Sequence, residues 1–177
     1  MSAQTAGLAD IHPCDHPATI KLTAYLRSTA VPAFASELQA RHLLAHRATV
    51  LTRQDLGQLL SIFANLGGIA SMQETGHLTY LIRDVQAVLA QPGCTDTDSR
   101  TRLAGLIESV RVGRLTDRIL TAARTDVGVV FVDGNKRAVA IYEAGEPTPV
   151  RLPIYLLEAT RGVLSLPGLL AGRITYL

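Results

Sequence analysis

Lysine is almost missing from this sequence: only Lys21 and Lys136 occur in 177 residues, and arginine carries nearly all of the positive charge. The position of Lys136, inside a polar turn, therefore stands out. An excess of charge of either sign is missing too. The formal net charge of +2 is too small for a strongly steering field, so nucleic-acid binding is not implied by charge alone and would need a local basic patch. Cysteine is scarce. Cys14 and Cys94 lie far apart with no repeat of spacing, which reads as two unpaired thiols in a reducing compartment rather than a disulfide. No apolar run approaches the roughly 18 residues of a spanning helix. Met1 to Pro17 has neither the basic nor the apolar region of a signal peptide. A cytoplasmic chain with no membrane partner is expected.

What is present suits one domain with a sizeable core: 47% of residues are hydrophobic and 18% charged. Residues 1–17, polar and punctuated by Pro13 and Pro17, read as a flexible arm, and 18–177 as a single domain. Within it, 18–110 reads as mostly helical. A helix is expected from about Ser36 to Arg47. Thr52-Arg53-Gln54-Asp55 has the form of a capping box, with Asp in place of Glu. Leu56, Leu59, Leu60 and Phe63 follow at the spacing of one helix face, up to Gly67-Gly68. Leu78, Leu81, Ile82, Val85, Val88 and Leu89 mark a second amphipathic helix, closed by Pro92-Gly93. A third starts near Asp98 and carries Leu103, Leu106, Ile107 and Val110.

The period changes at Gly128. Val129 to Val132 is a short apolar run rich in β-branched residues, which predicts a buried strand. Asp133-Gly134 breaks it. Arg137 to Ala144 reads as a short helix stopped by Gly145 and Pro147, and Arg151 to Leu157 as a second strand. Strand, turn, helix and strand at these lengths predict a compact βαβ-like unit over 111–158. The fold class expected is α/β (α+β), with a helical N-terminal layer packed on a small sheet that carries the turn.

Asp133-Gly134-Asn135-Lys136-Arg137 falls where the strand meets a helix N-terminus. Free backbone N–H groups and the positive end of the helix dipole converge there, which suits a phosphate. Gly134 permits a positive φ or a close ligand approach, and Arg137 can clamp two phosphate oxygens. Lys136 can add a point charge, while Asp133 can hold a metal ion or accept a hydroxyl proton. The plain alternative is an ordinary turn, with Asp133 as a helix cap and the two cations solvated.

The stretches Gly113–Leu120, Val129–Ala138 and Leu152–Leu156 together resemble the ParB/sulfiredoxin-like superfamily, whose members carry a DGxxR turn followed by a Pro-containing strand. The resemblance covers under a third of the chain. It implies that Asp133, Gly134, Asn135 and Arg137 hold nucleotide phosphates; in a phosphoryl-transfer enzyme the expected catalytic residues are Asp133, orienting Mg²⁺ or the acceptor hydroxyl, and Lys136, offsetting developing charge. The implied cofactor is ATP or ADP with Mg²⁺. The sulfiredoxin branch needs a cysteine in the turn, which this chain lacks. The partition-protein branch carries a helix-turn-helix domain after the turn, whereas 40 residues follow Arg137. The free-serine-kinase-like branch remains, and implies phosphoryl transfer from a nucleotide to a small hydroxylated metabolite such as an amino acid. A non-catalytic nucleotide or nucleic-acid binding module is the competing class. Phe131 to Ala138 also resembles the active loop of Fic-type proteins, in a degenerate form with Val129 where the catalytic histidine belongs.

Other candidates have plainer readings. His42 and His46 fall i, i+4 on the expected helix, a metal-pair spacing without a third ligand. His12, Cys14, Asp15 and His16 crowd a stiffened arm, and no metal site is expected there. Glu74 with His77, Glu108, Asp117 and Glu143 are each candidates for a general base, and the sequence selects none of them.

Overall fold

The computed structural model describes residues 7–29, 31–64, 77–92, 94, 97–114, 119–145 and 150–177. The chain begins with strand β1 (Leu8–Pro13), helix α1 (His16–Arg27), helix α2 (Pro32–Gln39) and strand β2 (Leu43–Val50). Helix α3 (Arg53–Gln58), strands β3 (Leu60–Ala64) and β4 (His77–Leu81), a 3-10 turn (Ile82–Asp84) and helices α4 (Val85–Leu89) and α5 (Thr97–Arg111) follow. The last part holds β5 (Thr121–Thr125), β6 (Gly128–Asp133), α6 (Asn135–Ala144), β7 (Leu152–Ala159) and α7 (Leu166–Leu170).

The strands form one mixed sheet in the order β1-β2-β7-β5-β6-β3-β4. Pairing is antiparallel except for β5 with β7 and β3 with β6. The fold is α/β, and helices cover both faces of the sheet. One face packs Leu22 and Leu26 of α1 and Phe34 and Leu38 of α2 against Ala45, Ala123 and Leu157. The opposite face packs Leu56, Leu103, Ile107 and Val139 against Phe131, Ile154 and Leu156. Adjacent residues such as Ala122 and Ala123 point to opposite layers, as the two-residue period of a strand requires.

Several elements differ from the sequence reading. Leu8–Pro13, expected in a loose arm, is an edge strand paired with β2. Asp15 caps α1, accepting from the Ala18 amide at 2.8 Å. The helix expected over 36–47 stops at Gln39, and Leu43–Val50 pairs along its whole length with β7. His42 and His46 therefore do not share a helix face. His42 Nδ1 lies 3.0 Å from Glu37 and His46 Nε2 3.2 Å from Glu158. The Thr52 cap forms as expected, accepting from the Asp55 amide at 3.0 Å and donating to its carboxylate at 2.7 Å. Helix α3 nonetheless ends at Gln58. Leu59, Ser61 and Phe63 are buried in alternation with half-buried Leu60 and Ile62, because β3 is recruited into the sheet between β6 and β4. Gly67-Gly68 lies outside the described residues. The amphipathic pattern from Leu78 is helical only from Ile82, after β4 has paired with β3.

The expected helix with Leu103 and Ile107 buried is α5. Val129–Val132 and Leu152–Leu157 lie in strands of one sheet with a helix between them, as expected. They are not a βαβ unit. β5 inserts between β6 and β7, parallel to β7 and antiparallel to β6, so the two strands joined by α6 run in opposite directions. Residues 18–110, read as mostly helical, also supply β2, β3 and β4 to the sheet.

Candidate functional site

The turn sits where β6 hands over to α6. Gly134 adopts φ +81° and ψ 16°, and a Cβ there would run into Leu120 Cδ2, so both conformation and space require glycine. The first intrahelical bond runs from the Ala138 amide to the Gly134 carbonyl at 2.9 Å. No side chain caps α6, and its first turn carries no acidic residue. The amides of that turn and the positive end of the helix are thus left for solvent or an anion.

Asp133 does not act as the cap. Its Oδ2 accepts from the Tyr25 hydroxyl at 2.6 Å and from Arg137 Nη2 at 3.1 Å. Arg137 Nη2 lies 3.3 Å from the Tyr25 oxygen as well. The ion pair is largely enclosed, with side-chain exposures of 12% for Arg137 and 22% for Asp133. Arg137 is therefore compensated locally rather than held as a free clamp, although its buried Nη1 has no hydrogen-bond partner. Burial and the bond to Asp133 push the Tyr25 phenol above its ordinary range, which keeps it protonated and donating.

Asn135, expected to touch phosphate, holds the protein together instead. Its Oδ1 accepts from Ser61 Oγ at 2.9 Å and from the Ile62 amide at 2.7 Å. Strands β3 and β6 pair only at Leu60–Val130 and Ser61–Phe131. Beyond that point the Asn135 side chain takes over the bonding that the neighbouring strand no longer supplies. Lys136 makes no hydrogen bond or ion pair among the described residues. With Asp133 and Arg137 paired to each other, it is the charge of the turn left without a partner among the described residues.

A cleft of about 750 Å³ opens where β3 and β6 part. Ile62 and Phe63 line it from β3, and Val132 to Arg137 from the strand end and the turn. Ser99, Arg102, Gly105, Leu106 and Ser109 line it from α5. Arg102 pairs with Asp98 at 3.0 Å, but both side chains are about two-thirds exposed (67% and 66%), so the pair is weak and exchangeable. All five residues of the turn thus come together on one cleft.

The other candidates fall elsewhere. Glu108 is exposed on α5 and does not line the cleft. Glu143 lies beyond it on α6, its carboxyl raised by burial more than the Arg53 guanidinium lowers it. Asp117 and Glu74 are outside the described residues, as is the side chain of His77. Asp133 is the one carboxylate lining the cleft among the described residues. Among them, too, no three His, Cys, Asp or Glu side chains converge as a metal would require, and no helix is long and apolar enough to cross a membrane. Sequence reasoning missed Tyr25 and α5 as parts of the site. Neither carried a local signal, since Tyr25 lies on an amphipathic helix and Gly105 looks like a helix irregularity.

Compared with protein-family models, curated proteins and solved structures, the chain finds no match in any of the three.

Proposed function

We propose that this protein binds a phosphate-bearing ligand, a nucleotide such as ATP or ADP, in the cleft at the head of α6. The observation that carries the reading is the combination, among the described residues, of a first helical turn without a side-chain cap and a Lys136 without a partner, both opening on the same 750 Å³ space. Amides aimed along the dipole, with a lysine ammonium beside them, make an anion site. The strand-turn-helix context supports the likeness to ParB/sulfiredoxin-like turns over a Fic-type loop, which joins two helices. Phosphate contacts fall to the α6 amides and Lys136. Arg137 adds its Nη1, while Gly134 and Asn135 shape the turn.

The second reading is phosphoryl transfer to a small hydroxylated metabolite such as an amino acid. The acceptor oxygen would form the new P–O bond, the bond to the nucleoside diphosphate would break, and the hydroxyl proton would pass to Asp133. Lys136 would offset the developing charge. Mg²⁺ in this reading arrives on the nucleotide's phosphates, since among the described residues Asp133 is the one carboxylate that lines the cleft. What favours binding over transfer is that Asp133 Oδ2 already accepts two hydrogen bonds.

Thermal-shift and calorimetric titration with nucleotides, with and without Mg²⁺, tests the first reading, because native-state binding raises the melting temperature by RT ln(1 + [L]/Kd) in free energy. No response to any phosphate compound would overturn it. A turnover assay with hydroxylated amino acids, run on the unmodified protein and on Asp133→Asn, separates the second. Transfer predicts turnover that collapses in the variant while affinity persists; a binding module predicts no turnover in either.

A further inference from the structure

We propose that helix α5 is the wall that selects the body of the ligand, and that Gly105 makes room for a nucleoside beside the phosphate site. The inference rests on the phosphate reading above and adds a specificity-determining residue to it. Gly105 stands inside the fifteen-residue α5, where glycine is the poorest helix former after proline. Among the described residues neither ordinary cause of a helical glycine is present. Its φ is not positive, and a Cβ at that position would meet no heavy atom of theirs within 4 Å. Gly57 in α3 shows the contrast: a Cβ there would lie 2.8 Å from Tyr142 Cε2, so packing accounts for it.

What Gly105 does have is a place on the cleft, between Arg102 one turn before it and Ser109 one turn after. The Ser109 hydroxyl is turned back onto the Gly105 carbonyl at 2.8 Å, which keeps it from projecting into the space. Leu106, Ile62 and Val132 supply apolar lining beside this bare stretch of helix. The lining therefore changes character across the cleft, with an anion-seeking turn on one side and a smooth, partly apolar helix face on the other. A cavity of about 750 Å³ is of the size that holds a complete small organic ligand, well beyond one phosphate group. A nucleoside di- or triphosphate matches both halves. Its phosphates lie on the α6 amides and Lys136, its sugar and base along α5 at Gly105, and Arg102 exchanges Asp98 for a ligand oxygen.

The test compares ATP with inorganic tripolyphosphate, which carries the charge without the body, by calorimetric titration of the full chain and of G105L. Leucine is a good helix former and its Cβ enters open space, so the variant folds with an unchanged or higher melting temperature. The expected result is a loss of ATP affinity of at least about tenfold, with tripolyphosphate affinity held within about twofold. S109L, one turn along the same face, places a second obstruction and serves if G105L fails to fold; the same discrimination is expected of it. G105L and S109L binding ATP as tightly as the unmodified protein would overturn the α5 wall and leave the phosphate site standing. Equal losses for both probes would also overturn it, because the obstruction would then act on the phosphate site itself. Failure of the unmodified protein to bind either probe removes the phosphate reading and the wall together.

Discussion

The Tyr25 hydroxyl donates to Asp133 Oδ2 at 2.6 Å, tying α1 to a turn that lies 108 residues later in the chain. That bond passes from the helical layer on one face of the sheet to the strand end that opens the cleft. It turns Asp133 into the centre of a small enclosed network instead of an exposed cap.

Tyr25→Phe keeps the ring and removes the hydroxyl. A hydrogen bond to a charged, half-buried group is lost, and stability should fall by about 1–2 kcal/mol, read from denaturant unfolding. Nucleotide affinity should barely move, since Arg137 still pairs with Asp133. An affinity loss larger than the stability loss would mean that the hydroxyl faces the ligand.

The same phenol has a pH signature. Its folded pKa is raised above the ordinary phenol value of 10.0, chiefly by burial and then by the bond to Asp133. The native state therefore holds the proton where the unfolded chain has released it. Its contribution is fully present below the unfolded value and is lost as pH climbs through the folded one. Tyr176, raised by burial and by Glu37, acts with the same sign. Unfolding free energy should decline above pH 10, and less steeply in Tyr25→Phe. An identical alkaline slope in the variant would show that Tyr25 contributes none of it.

Lys136 and Arg137 should separate binding from stability. Lys136→Ala removes a cation that has no partner among the described residues, so it should cost nucleotide affinity about tenfold while leaving the melting temperature alone. Arg137→Ala strands a largely enclosed carboxylate and takes Nη1 out of the cleft, and should lower stability by about 1.5–3 kcal/mol along with affinity. Arg173, exposed near the C-terminus, is the control and should change neither. Equal affinities for all three variants would retire the phosphate site.

Asn135 should behave as a strut. Asn135→Ala leaves Ser61 Oγ and the Ile62 amide without their acceptor, at a cost of about 1–3 kcal/mol in thermal or denaturant melts. Asn135→Asp keeps the acceptor and favours the helix dipole, so it should lose less stability while weakening phosphate binding by at least about tenfold through like charge. If the aspartate variant bound nucleotide normally, the ligand's phosphates would lie away from the head of α6.

Local rules carried the C-terminal half of the sequence. The β-branched run at Val129–Val132, the Gly134 break and the Gly145 stop each act over a few residues, so strand, turn and helix were legible without knowing their neighbours. The same was true of the Thr52 cap and of α5. Beyond those, partners decided. Leu56, Leu59 and Phe63 suit a helix face, and their neighbours suit an alternating strand equally well; the sheet edge offered by β6 settled it. Leu43–Val50 became a strand because β7 pairs with it along its length and β1 pairs with it from His46 to Val50. The direction of β7 relative to β6 depended on β5 entering between them, which no spacing in the chain encodes. At the site, the residue types of the turn announced an anion-binding geometry. Asp133 holds Arg137 from four residues away, but only tertiary packing brought Tyr25 across the sheet to donate to the same carboxylate, because a contact between residues 108 apart needs the fold to place them within reach.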